Sequence, residues 1–157
     1  MVDIELDNDD VKILAALQDD GRISYTDLSR LTEIPTSTIH DKIKRLTKEG
    51  VIKKFTVLLD EHTVGVNLIV IVGVETDSKF YKKVADVLSS IYEVVEVYGT
   101  TAEFDLMIKI QTQNRDELNR VLNQIRGIDG IDDTYVFSVL EVFKNEHMRP
   151  LRPKKGF

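Results

Sequence analysis

Between Ser37 and Lys48 the chain carries two adjacent small hydroxyls, Ser37 and Thr38, and then His40, Asp41, Lys42, Lys44, Arg45 and Lys48. Hydroxyls and cations of this kind bind phosphates and the edges of bases, so a run of them on one side of a helix suits duplex DNA. The competing reading is an amphipathic helix whose cations merely solvate its outer face. Position favours DNA: Ser37 and Thr38 come just after a turn containing Pro35, at a helix start where recognition helices meet base edges. Thr38, Asp41, Lys42 and Arg45 then form the exposed stripe.

Chemistry of other kinds finds no foothold. Glu103 and Asp105 can be drawn as a general acid and base, but alternate residues of a strand share one face and no substrate group is identified for them. Asp105 is read instead as a carboxylate able to hold an ammonium group at a pocket mouth. His40, His62 and His147 are scattered without metal-ligand spacing, and the 8 glycines form neither a phosphate loop nor a dinucleotide fingerprint. No serine sits in a nucleophile elbow, and with 0 cysteines there is no disulfide, thiolate zinc site or cysteine nucleophile. The expectation is a protein that is not an enzyme and uses neither metal nor cofactor.

The 157 residues are enough for one medium domain or two small ones, and small domains gain from dimerisation. A content of 42% hydrophobic and 31% charged residues is that of a folded soluble protein. A net charge of -6 excludes an indiscriminate nucleic-acid coat, but the charge is unevenly placed. Acids crowd the first twenty or so residues, whereas Arg22, Arg30, Lys42, Lys44, Arg45, Lys48, Lys53 and Lys54 outnumber the acids of the next stretch. The acidic start is unlike a secretory signal, and the apolar run Leu68 to Val74 is too short to span a bilayer. A cytoplasmic location without a membrane partner is expected.

The elements that must position these residues follow from periodicity. Asn8 to Asp20 reads as a helix with Val11, Leu14 and Leu17 on one stripe, ended by Gly21. Ser24 caps a short helix carrying Leu28 and Leu31, Glu33-Ile34-Pro35 breaks it, and Thr36 or Ser37 caps a third helix with Ile39, Ile43 and Leu46 buried. Gly50 closes that helix, and Val51 to Leu59 reads as a strand or extended connector. Thereafter strand (68–75), helix (78–91), strand (94–100), strand (104–112), helix (115–126) and strand (133–143) follow in the order β-α-β-β-α-β, a ferredoxin-like pattern. The fold class is therefore α+β. In Leu68 to Val74 and again in Tyr135 to Val142 both faces are apolar, so the face that helices leave bare asks for a partner sheet, most simply that of a second copy. Phe104, Leu106, Ile108 and Ile110 are expected on one face of their strand, with Asp105, Met107, Lys109 and Gln111 on the other.

The segment LDNDDVKILAALQDDGRISYTDLSRLTEIPTSTIHDKIKRLTKEGVIKKF resembles the DNA-binding head of the Lrp/AsnC, or feast/famine, transcriptional regulators. The matching positions include Leu6-Asp7, Ile13-Leu14, Asp20-Gly21-Arg22, Leu28, Ser37-Thr38-Ile39, Ile43, Leu46 and Gly50-Val51-Ile52. Downstream, VVEVYGTTAEFD and IDDTYVFSVLEVFK resemble that family's effector-pocket loop and last strand. The resemblance implies a helix-turn-helix domain (1–50), a linker strand (51–65), a ferredoxin-like dimerisation and effector domain (66–145) and a basic tail (146–157) with Arg149, Arg152, Lys154 and Lys155. It implies an amino-acid effector bound near Thr100, Thr101, Ala102, Glu103, Phe104 and Asp105, with Thr134 and Val136 added across the dimer. Ala102 stands where the family usually has glycine, Lys42 where it has arginine, and Val136 where it often has threonine. The expected protein is thus a homodimer, or an assembly of dimers, that binds double-stranded DNA as a sequence-specific regulator and senses an amino acid or related metabolite. The alternative is an architectural DNA-binding protein that senses nothing.

Overall fold

A computed structural model describes residues 4–101, 103–145, 148, 150 and 151. The chain divides into two compact units, one comprising Met1–Leu58 with Asn145–Phe157 and the other Leu59–Lys144.

The first unit contains α1 (Asn8–Asp19), α2 (Tyr25–Thr32) and α3 (Thr36–Lys48). Asp7 caps α1 in a reciprocal box: its Oδ1 accepts the Asp10 N–H at 2.7 Å while Asp10 Oδ2 accepts the Asp7 N–H at 3.1 Å. Ser24 caps α2 by accepting from Asp27 N at 3.1 Å, as expected. The chain leaves α2 through Glu33 in the left-handed region (φ 61°). The expected side-chain cap of α3 is absent. Pro35 occupies the N-cap position, its fixed φ of -56° setting the entry and its carbonyl accepting from Ile39 N at 3.0 Å. The three helices close over Ile13, Leu28, Ile34, Ile39 and Ile43, each worth about 1.5–3 kcal/mol of burial. Gly50, with φ 75°, ends the domain's last turn.

Residues 51–59, expected as a strand or extended connector, form no strand among the described residues, and Phe55, Val57, Leu58 and Leu59 are exposed. Extended backbone becomes a strand only where a second edge accepts its hydrogen bonds.

The second unit has β1 (Leu68–Thr76), α4 (Tyr81–Ser90), β2 (Val94–Gly99), β3 (Leu106–Thr112), α5 (Arg115–Arg126) and β4 (Ile131–Ser138). These build an antiparallel sheet in the order β2-β3-β1-β4, the ferredoxin-like arrangement expected. Val70, Val72 and Val74 of β1 align with Ile110, Ile108 and Leu106 of β3, and this face packs on Val84 and Leu88 of α4 and Val121, Leu122 and Ile125 of α5. β4 stops at Ser138 rather than Phe143 because its partner runs out: Ser138 pairs with Val70, and Val139 N makes a last bond to Ile69 O at 3.0 Å. Leu140 and Phe143 beyond it are exposed.

The opposite face carries Ile69, Ile71 and Gly73 beside Gln111, Lys109 and Met107, with Phe137 and Tyr135 on the other flank. Phe104 departs from the expected alternation. It precedes β3 and lies over Gly73 on this face, with ring centroids 5.0 Å from Tyr135 and 6.0 Å from Phe137. The cause is local: Asp105 N donates to Val74 O at 3.1 Å and Asp105 Oδ2 accepts from Thr76 N at 2.9 Å, which ties the chain to the end of β1 before regular pleating begins.

Candidate nucleic-acid interface and effector loop

The residues expected to meet DNA do not all point the same way. Lys42 Nζ lies 2.5 Å from Asp7 Oδ2 and 3.1 Å from Asp10 Oδ1, and Arg45 donates from one nitrogen to Asp10 Oδ2 at 2.6 Å and from another to Glu49 Oε2 at 3.0 Å. Asp10, 1% exposed, is the hub of this network, and it joins the first turn of α1 to the middle of α3. Hydrogen bonding to Lys42, with help from the Asp10 backbone N–H, holds the Asp7 carboxyl below the usual carboxylate range. Burial alone would push Lys42 down, but its hydrogen bonds to Asp7 and Asp10 outweigh that and hold the ammonium above its ordinary value.

The rest of the stripe is open. Ser37, His40, Asp41, Lys44 and Lys48 are exposed and Thr38 is half-buried. His40 meets Tyr25, the first residue of α2, edge to face at 6.0 Å, and its Nδ1 lies 3.5 Å from Asp41. α3 therefore has two flanks. One locks it to α1 through Lys42 and Arg45; the other presents hydroxyls, His40 and two lysines. Sequence reasoning missed Asp10 and Tyr25. Asp10 was discoverable, since an acid three residues after a capping Asp7 is the capping-box spacing; nothing local marks Tyr25.

In the second unit, Thr100, Phe104 and Asp105 are tied together where the chain passes from β2 to β3. Thr100 N donates to Asp105 O at 3.0 Å, and the Thr100 hydroxyl donates to the Phe104 carbonyl. One oxygen of Asp105, the expected ammonium holder, is committed to the Thr76 backbone. Thr101 and Glu103 are exposed, and Ala102 lies outside the described residues. Thr134 pairs with Val74, the residue whose carbonyl receives Asp105 N, so the hydroxyl strand and the loop meet the same end of β1. Thr134 Oγ1 accepts from Arg126 Nε at 3.3 Å, and Val136 lies opposite Val72. The basic tail residues Arg149, Arg152, Lys154 and Lys155, with His147, lie outside the described residues. Among the described residues no helix is long and apolar enough to cross a membrane.

Two family models match this chain: residues 6–53 fit a winged helix-turn-helix DNA-binding domain and residues 69–148 fit the Lrp/AsnC ligand binding domain. The chain belongs to the Lrp/AsnC family. Among its relatives, the HTH-type transcriptional regulator FL11 of Pyrococcus furiosus is 38% identical over 147 residues, 94% of this chain and 97% of the relative. FL11 of Pyrococcus horikoshii is 37% identical over 95% of this chain and 99% of its own. Escherichia coli AsnC superposes with a TM-score of 0.84 at 28% identity, covering 92% of this chain and 99% of AsnC. A Neisseria meningitidis transcriptional regulator solved as its L-Met complex gives 0.85 at 25% identity, covering 94% and 97%. This Lrp/AsnC protein is accordingly a DNA-binding transcriptional regulator with a ligand-binding domain, and its family relatives are regulators rather than enzymes.

Proposed function

We propose that this Lrp/AsnC protein is a homodimeric, sequence-specific regulator whose DNA affinity is set by an amino acid. The exposed flank of α3 carries the reading: Ser37, Thr38, His40 and Asp41 face base edges while Lys44 and Lys48 neutralise phosphates. Lys42 and Arg45 serve chiefly to hold the recognition helix at a fixed angle through Asp10, and Arg45, whose side chain is 38% exposed, retains reach toward a phosphate. The bare sheet face with Tyr98, Tyr135 and Phe137 suits a second copy, which supplies the second recognition helix of a two-fold site. For the effector, the hydroxyls of Thr100, Thr101 and Thr134 and the carboxylates of Glu103 and Asp105 suit a zwitterion, and the L-Met complex of the Neisseria neighbour supports that class.

The test is binding to a site selected from random DNA, measured against salt. Lys44→Ala with Lys48→Ala should lower the slope of log affinity against log salt by about 2, near 0.9 for each phosphate that no longer meets a cation. A folded double variant with the wild-type slope removes this flank from the interface.

A further inference from the structure

Tyr81 opens α4 and is half-buried against the core of the effector domain. Its hydroxyl reaches across to Gly99, the last residue of β2, so closely that a methyl group placed there would collide with Tyr81 Oη, and the ring Cζ would be 3.4 Å away. Glycine at this position is what lets the phenol come in. Among the described residues Tyr81 Oη has no hydrogen-bond partner, and it is not among the buried atoms left unsatisfied, so its polar group is open to a ligand or to water. The next residue after Gly99 is Thr100, where the loop to Asp105 begins, and that loop closes on itself through Thr100 N to Asp105 O. The loop's own hydroxyl at Thr100 is taken up by the Phe104 carbonyl, and Asp105 is partly taken up by Thr76 N. An effector at the loop thus meets exposed acids, Glu103 and the second oxygen of Asp105, a Thr100 hydroxyl whose proton is already committed, and an uncommitted donor held from the helix side.

We infer that Tyr81 is a specificity-determining residue of the effector site, its phenolic oxygen seated in the space that a side chain at position 99 would fill and donating its hydrogen bond to the carboxylate of the bound amino acid. This rests on the reading of residues 100–105 as an effector loop. A carboxylate is the matching group because the loop brings acids, Glu103 and Asp105, for the ammonium end and few free donors for the other. A phenol is also a rigid anchor, with little conformational freedom to lose on binding.

Calorimetry with the full-length protein and each of the twenty standard amino acids identifies the effector. The same titration is then run with that amino acid's carboxamide and with Tyr81→Phe, which keeps the ring packed and deletes one oxygen. The expected result is that Tyr81→Phe binds the amino acid about tenfold to a hundredfold more weakly, as for loss of a hydrogen bond to a charged group, with an unchanged thermal transition. The variant should also lose most of the wild type's preference for acid over carboxamide. Equal affinity of wild type and Tyr81→Phe, or an acid preference that survives the substitution, overturns the role of Tyr81 and leaves the effector loop standing. Failure of the wild type to bind any of the twenty overturns the effector reading and this inference with it.

Discussion

Replacing Asp10 by alanine removes the centre of the bridge between α1 and α3. The carboxylate is 1% exposed and accepts from Lys42, from Arg45 and from the Asp7 backbone. Truncating one partner of a fully buried ion pair costs about 3–5 kcal/mol. Here each cation keeps a second acid, Lys42 at Asp7 and Arg45 at Glu49, and the Arg45 side chain is 38% exposed, which brings the charge contribution down to roughly 1–2 kcal/mol. Loss of the reciprocal half of the capping box adds about 0.5–1 kcal/mol. The sum, about 1.5–3 kcal/mol, is a large share of what a head of this size possesses at roughly 0.05–0.15 kcal/mol per residue. Native-state hydrogen exchange on the full-length chain isolates the effect, since amides of α1 and α3 should open more easily by that amount while those of β1 and β3 keep their protection. Asp10→Asn, which retains an acceptor oxygen and the side-chain volume, should lose about half as much. If the α1 and α3 amides of Asp10→Ala exchange within about 0.5 kcal/mol of wild type, the bridge is not what fixes the recognition helix.

The lowered Asp7 and raised Lys42 ionisations give the head two pH limits. The Asp7 share of stability is fully present above the unfolded aspartate value, about 3.9, and is lost as pH falls through its depressed folded value; the Lys42 share is present below the unfolded lysine value, about 10.4, and is lost as pH rises through its raised folded value. A pH series of α1 amide protection checks both, and Asp7→Asn should remove the acid limb. Gly73→Ala puts a methyl 2.6 Å from the Phe104 ring, so it should cost roughly 1–2 kcal/mol in urea unfolding and displace Phe104 from Tyr135; wild-type stability with an intact Phe104 ring environment by NMR would contradict that packing.

Much of this fold was legible because periodicity and local chemistry agree. Leu68 to Val74 is a short, continuous run of apolar and β-branched residues, the pattern of a strand buried on both faces, and Ser24, Glu33-Ile34-Pro35 and Gly50 punctuate the helices as their chemistry demands. What was not legible depends on contacts distant in sequence. Lys42 and Arg45 look like phosphate ligands by type and spacing; their attachment to Asp10, 32 and 35 residues away, is a tertiary fact. Phe104 obeys the alternation of β3 on paper, yet the Asp105 links to Val74 and Thr76 turn it over. Likewise the stretch 51–59 has strand composition, but composition does not supply the neighbouring edge. For the stretch from Thr100 to Asp105, residue types do not say which groups are already engaged, and the approach of Tyr81 to Gly99 from a helix carried no local sign at all.

Phe104 belongs at once to the loop after β2 and to the bare face of the sheet, where it rests on Gly73 beside Tyr135 and Phe137. A single ring therefore serves two surfaces, and neither can be rewritten alone. Substitutions that reshape the loop shift an aromatic that the sheet face also presents, so inherited changes at position 104 must be accepted jointly with changes at 73, 135 and 137. Attempts to graft a new ligand preference onto this scaffold should diversify those four positions as one block.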